Sequence, residues 1–164
     1  MPAVMEQPLT DLSKWKTDEC SIGKAMDLIG TRSAILILRE AYYGTTRFDG
    51  FATRVGVTEA VAAKQLRRLT DAGLLRKQPY REAGQRTRHE YALTEMGRDL
   101  LPAVLALMQW GDKYLQEGVS PLLVVEDSTD SPVQVQVRSA AGNEVGLEQL
   151  RVRLNRGWRP RKAR

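Results

Sequence analysis

Hydrophobic positions recur at helical spacing through the first two-thirds of the chain and alternate in only a few short runs. Ser21–Ile29 places Ile22, Ala25, Met26 and Ile29 together, with Ser21 available as a cap and Gly30 as a stop. Residues 31–43 hold Ile35, Leu36, Ile37 and Leu38 in succession. A helix apolar nearly all round is buried on most sides, so this one belongs at the centre of a domain. After a break at 44–46, residues 47–55 set Phe48, Phe51, Ala52 and Val55 on one helical face. Gly56 interrupts, and Thr58 can cap a further helix whose inward stripe is Ala62, Leu66 and Leu69, ended by Gly73. Residues 74–80 and Arg88–Leu93 read as strands joined across 81–87, where Gly84 suits a turn. His89, Tyr91 and Leu93 share one side of the second strand, and His89 is expected to pack at the hairpin base. Thr94 can cap a long helix to about Leu115, which Pro102 is expected to bend rather than start. Leu101, Val104, Leu105 and Met108 line one face of that helix, widened by Leu100, Leu107, Trp110 and Tyr114.

Beyond Gly118 the pattern changes. Residues 122–125 and 133–138 look like strands, with Val133, Val135 and Val137 alternating with Gln134, Gln136 and Arg138. A turn at 141–143 precedes a returning strand or short helix over 144–153. Residues 1–17 are polar and without periodicity. The expected division is therefore an arm at 1–17, a domain at 18–118, a β-rich appendage at 119–155 and a basic tail at 156–164. No internal repeat is present.

The order helix, helix, short turn, helix, hairpin, helix is that of a winged helix-turn-helix. The fold class expected is mostly α with a β wing (α+β), carrying a long C-terminal dimerisation helix and a small β-appendage. The charge is segregated: net −1 over residues 1–46, +5 over 47–93, −6 over 94–150 and +7 over 151–164. Such segregation suits a polyanionic partner. On the helix after Thr58, Glu59, Ala60, Ala63, Lys64, Arg67 and Arg68 lie away from the inward stripe. Small residues permit close approach to a major groove, while the cations reach phosphates or guanine edges. Arg81, Arg86 and Arg88 sit around the hairpin tip, where they can follow the neighbouring backbone or minor groove. Double-stranded DNA is the expected partner. A winged helix that binds another protein, its charges only solvating the surface, is the alternative. The apolar band on the long helix is too wide for one small domain to bury. Leu101, Val104, Leu105, Met108 and Trp110, assisted by Ile22, are expected at a homodimer interface.

The segments Cys20-Ser21-Ile22, Asp27-Leu28-Ile29-Gly30, residues 35–40, Arg47-Phe48, Leu66-Arg67-Arg68-Leu69, Ala72-Gly73-Leu74, Glu90-Tyr91, Leu93-Thr94 and Gly97 carry a resemblance. Together they resemble the HxlR type of bacterial winged-helix transcription regulator, a relative of the MarR group, over Cys20 to about Leu115. The resemblance implies a homodimer on a palindromic operator, with residues 58–72 as recognition helix and 81–88 as wing tip. Two departures stand out. Arg32-Ser33 replaces the usual Lys-Trp, and the β-appendage lacks the cysteine pairs of some relatives, so it is read as metal-free. In some relatives the cysteine equivalent to Cys20 senses oxidants. Here helix-terminal N–H groups favour a thiolate while Asp18 and Glu19 oppose it, and an inert thiol is the competing reading. Related regulators accommodate small molecules between the long helix and the winged domain, so an effector is a further expected partner.

Composition narrows the classes. The chain has 164 residues, 42% hydrophobic and 27% charged, which is enough for a core. No apolar run approaches the ~20 residues needed to cross a bilayer, and no signal peptide is seen. One cysteine excludes an internal disulfide, and a cytoplasmic location is expected. One histidine, one cysteine and no glycine-rich phosphate loop leave little catalytic equipment, so neither enzyme activity nor a cofactor or metal is expected.

Overall fold

The computed structural model describes residues 4–7, 9–11, 19–81, 84, 87–155 and 157. The chain forms two compact units, one of residues 25–133 and one of residues 1–24 with 134–164, so the division falls inside the first helix. Residues 119–133 thus group with the helical unit rather than with the residues that follow them.

The larger unit is built on the helix that the sequence places at its centre. Helix α1 (Ser21–Ile29) ends at Gly30, where a Cβ would lie 2.4 Å from the Met26 carbonyl oxygen. Helix α2 (Arg32–Tyr42) starts at Thr31, whose Oγ1 accepts from the Ala34 N–H at 3.2 Å. Its Ala34, Ile37 and Leu38 are fully enclosed by Phe51 and Val55 of α3 (Phe48–Val55), Leu66 and Leu69 of α4 (Glu59–Asp71), and Leu75 and Tyr91 of the hairpin. One residue of α2 breaks the apolar rule, since Glu40 is only 3% exposed.

Strands β2 (Leu75–Tyr80) and β3 (Arg88–Leu93) pair antiparallel from Leu75↔Leu93 to Tyr80↔Arg88. The face carrying Leu75, Tyr91 and Leu93 turns inward, and Phe51 meets Tyr91 edge-on at 6.0 Å. His89 is exposed opposite Pro79, contrary to the packed position expected of it. The inward face serves only the half of the ladder near the helices, and His89 lies beyond it.

The single helix expected from Thr94 to Leu115 is instead two. Thr94 caps α5 (Glu95–Arg98), its Oγ1 accepting from Gly97 N–H at 3.1 Å and donating to the Gly73 carbonyl at 2.5 Å. The chain turns at 99–100 and restarts as α6 (Leu101–Leu115), with Pro102 in the first turn. Proline has no N–H to give and crowds the carbonyl four residues back, so it starts this helix rather than bending one. Tyr42 Oη donates to the Gly97 carbonyl at 2.6 Å, fastening α2 to α5. A Cβ on Gly97 would stand 2.2 Å from the Leu74 carbonyl oxygen, so glycine is needed there.

The strands expected at 122–125 and 133–138 do not form. One isolated bridge, Val125↔Pro132, folds residues 124–133 back, and Gln109 Nε2 donates to the Val133 carbonyl at 2.8 Å. In the smaller unit a bridge Arg138↔Glu144 spans a turn with Gly142 at φ +86°. A 3-10 turn at Leu147–Gln149 leads into β4 (Arg151–Val152). That strand pairs in parallel with β1 (Val4–Met5), inside the segment read as a patternless arm. Glu6 and Arg151 meet at 3.4 Å beside this pair.

Candidate nucleic-acid interface

Gly56 takes a left-handed conformation (φ +69°) that closes α3, and the Val57 N–H returns to the Ala52 carbonyl at 3.1 Å. Thr58 then opens α4, its Oγ1 accepting from Val61 N–H at 3.3 Å. The tight turn makes a helix-turn-helix, and its inner stripe of Ala62, Leu66 and Leu69 is completely buried. Their burial fixes what α4 shows outward. Thr58, Glu59, Ala60, Lys64 and Arg67 are exposed, whereas Ala63 and Arg68 lie half-buried on the flanks. Gln65 is buried beside the stripe, and its Oε1 has no hydrogen-bond partner among the described residues.

Arg81 and Arg88 are exposed at the outer end of the wing, while Arg86 lies outside the described residues. Arg47, the residue before α3, bridges by its backbone to Glu90 and stacks its guanidinium 4.9 Å from the Tyr80 ring. The start of the helix-turn-helix is thereby held against the wing. Two cations not singled out from the sequence, Arg76 and Lys77, are exposed on β2. Strand alternation could have drawn attention to Arg76, which pairs with the small Ala92.

A third omission is electrostatic. Arg54 Nε of α3 donates to Glu40 Oε2 at 2.5 Å, and Arg39 donates to Glu40 Oε1 through Nε at 3.0 Å and through a terminal nitrogen at 2.5 Å. Burial pushes the Glu40 carboxyl up, but the hydrogen bonds and charges of Arg54 and Arg39 outweigh it and hold the group below the usual carboxylate range. This triad ties α2 to the first helix of the helix-turn-helix. Burial alone raises the Tyr42 hydroxyl to about 12.

The residues expected at a dimer interface are spread between inside and outside. Val104 is buried, and Leu101, Leu105 and Met108 are half-buried. Trp110 and Tyr114 stand 56% and 60% exposed, 5.6 Å apart, with Leu107 and Leu115 also outward. Ile22 on α1 is exposed. Cys20, a free thiol, is half-buried immediately before α1. No helix is long and apolar enough to cross a membrane, among the described residues.

The chain is 42% identical over 109 residues to an HTH-type transcriptional regulator of Mycobacterium tuberculosis, covering 66% of this chain and 68% of that protein. It is 30% identical to the HTH-type transcriptional regulator YdeP of Bacillus subtilis, over 63% of this chain and 80% of that one. Among solved structures it resembles PA1607, a candidate transcription factor, with a TM-score of 0.72 and 33% identity over 82% of this chain and 94% of that one. The redox regulator HypR in its reduced form matches with a TM-score of 0.51 and 28% identity, over 60% of this chain and 98% of that one. The model of the HxlR-like helix-turn-helix matches residues 28–119, which span α2 to α6, and the chain belongs to that family of α+β winged helices.

Proposed function

We propose that this regulator binds double-stranded DNA sequence-specifically as a homodimer and acts as a binding protein rather than a catalyst, in the cytoplasm. The observation that carries the reading is the outward face of α4. It sets exposed Lys64 and Arg67 around Ala60, beside a wing bearing Arg76, Lys77, Arg81 and Arg88. Ala60 leaves room for a groove edge, and the cations supply phosphate and base contacts on either side. Trp110, Tyr114, Leu107 and Leu115 give α6 an apolar outer surface that a second copy would cover. Two recognition helices about one DNA turn apart, ~34 Å, would then read a palindromic operator.

The deciding experiment is salt-dependent binding to duplexes selected from a random pool, with light scattering on the same sample. A recovered palindrome, bound by a dimer with a steep salt slope, supports the reading. Binding without sequence preference favours the protein–protein adaptor instead. Redox control is a second reading, favoured by the likeness to HypR and by Cys20 at the head of α1. Operator binding by Cys20→Ser that is indifferent to oxidant, where the parent responds, would support it.

A further inference from the structure

The net charge of the chain lies outside the unit that carries the helix-turn-helix. Over residues 25–133 basic and acidic side chains balance, with +5 across 47–93 offset by −5 across 94–133. The smaller unit, residues 1–24 with 134–164, therefore holds the whole net charge of +5. Residues 134–164 supply eight arginines and lysines against Glu144 and Glu148, and residues 1–24 are net −1. Three of the eight cations, Arg138, Arg151 and Arg153, are described, and all three are exposed. Arg151, with its side chain 72% exposed, meets Glu6 at 3.4 Å. An exposed pair of this kind opens at little cost. Arg138 donates to the Gly142 carbonyl at 3.3 Å and to Gln136 Oε1 at 3.1 Å, both uncharged. Among the described residues neither Arg138 nor Arg153 has a carboxylate partner. The remaining five cations follow as Arg156, Arg159, Arg161, Lys162 and Arg164, with no acidic residue between them.

We propose that the smaller unit is a second nucleic-acid contact, which holds the phosphate backbone of duplex DNA without reading its sequence. The inference rests on the DNA-binding reading of α4 and adds a division of labour to it. A unit whose positive and negative stretches cancel attracts a polyanion only once its positive stretch is close. Screening confines that attraction to a Debye length of about 8–10 Å. A unit with a net charge attracts in every orientation, and supplies the salt-dependent, sequence-independent part of the affinity. Seven of the eight cations in 134–164 are arginine, whose planar guanidinium meets phosphate through two parallel hydrogen bonds. Duplex DNA suits them because it carries one charge per ~1.7 Å of axis, and because α4 brings it to the same chain. Once α4 is seated, the second contact is intramolecular and needs no specificity of its own. Base contacts from α4 depend on fixed geometry, whereas phosphate contacts from the smaller unit serve on any sequence.

The test measures fluorescence anisotropy on the full chain between about 50 and 200 mM salt. The probes are the selected operator, a random-sequence duplex and a single-stranded RNA of equal length. One variant carries Arg153→Gln, Arg156→Gln, Arg159→Gln, Arg161→Gln, Lys162→Gln and Arg164→Gln, and leaves Arg151 paired with Glu6. It is expected to lose about three phosphate contacts or more, making the salt slope on the random duplex shallower by about 2.7. Over that fourfold salt range the difference is about 40-fold in affinity. The ratio of operator to random affinity is expected to change by less than about threefold, since phosphate contacts carry no sequence information. Arg→Lys at the same five arginines, with Lys162 kept, is expected to retain the parental slope, which separates charge from any structural role. Ala60→Glu on α4 is expected to do the converse, abolishing operator preference while keeping the random-duplex slope within about 0.9 of the parent. An unchanged random-duplex slope in the glutamine variant, a lysine variant as weak as the glutamine one, or operator preference lost with the six charges overturns the proposal. So does RNA bound more tightly than duplex, which assigns the unit to RNA instead. If the parent prefers no duplex, the reading of α4 fails, while the random-duplex slopes still decide the smaller unit.

Discussion

The division of α4 into an exposed centre and half-buried flanks gives a quantitative expectation. Lys64 and Arg67 project from the middle of the outward face, and Arg68 sits at its edge. A cation that neutralises one phosphate contributes about 0.9 to the slope of log affinity against log salt. Over a fourfold rise in salt, one such contact amounts to about a 3.5-fold change in affinity. Lys64→Ala is therefore expected to weaken binding more at 50 mM salt than at 200 mM, with the slope shallower by about 0.9. The double variant with Arg67→Ala is expected to be shallower by about 1.8 if both side chains meet phosphate. Should Arg67 instead hold a guanine edge, its loss leaves the slope nearly unchanged and removes about 1–3 kcal/mol of discrimination at one base pair. Arg68→Ala, from the half-buried flank, is expected to change the slope by less than half as much as Lys64→Ala. Fluorescence anisotropy with a labelled operator and a scrambled duplex at four salt concentrations separates these outcomes. Slopes and preferences that coincide with the parent for all three variants would refute α4 as the reading helix.

Three further outcomes concern the frame that holds α4. The Glu40 carboxyl is held below its unfolded value, so its contribution to stability is complete above the ordinary carboxylate range. That contribution is lost as pH falls through the folded value, and melting curves from pH 7 to 3 should fall less steeply for Glu40→Gln. Tyr42→Phe removes the bond to the Gly97 carbonyl and is expected to cost about 1 kcal/mol by denaturant titration. The parent should also lose stability between its ordinary ionisation near 10 and the folded value of about 12, and the phenylalanine variant should not. Gly97→Ala forces a Cβ against the Leu74 carbonyl and the Leu93 side chain, and is expected to cost about 1–3 kcal/mol by the same titration.

What the sequence disclosed was what local periodicity carries. The stripe of Ala62, Leu66 and Leu69, the cap at Thr58 and both wing strands lie where their spacing puts them, because each is specified by residues within a turn or two. The family resemblance, over Cys20 to about Leu115, and the family match, over residues 28–119, overlap from α2 through α6, while residues 20–27 lie outside the match. The departures are non-local. Glu40 looks like an interruption of an apolar helix until Arg54, fourteen residues on, is folded against it. The gap between α5 and α6 is set by Pro102 together with Tyr42 and Leu74, which crowd Gly97 from distant elements. Val133, Val135 and Val137 alternate as a strand would, yet without a continuous neighbouring strand the ladder shrinks to isolated bridges and the valines stay exposed. The two residues of β1 are too short to show any period.

That short strand has a consequence for how the chain is made. Val4 pairs with Arg151, roughly 150 residues later. At ribosomal rates of about 5–20 residues per second, β1 waits on the order of ten seconds or more before its partner emerges. The helices, hairpin and core of residues 25–133 are all synthesised in that interval, from contacts much closer in sequence. Among the described residues, the β1–β4 pair is therefore the last element to close. A nascent chain halted before Arg151 carries a finished helix-turn-helix with an unclaimed strand at its amino end.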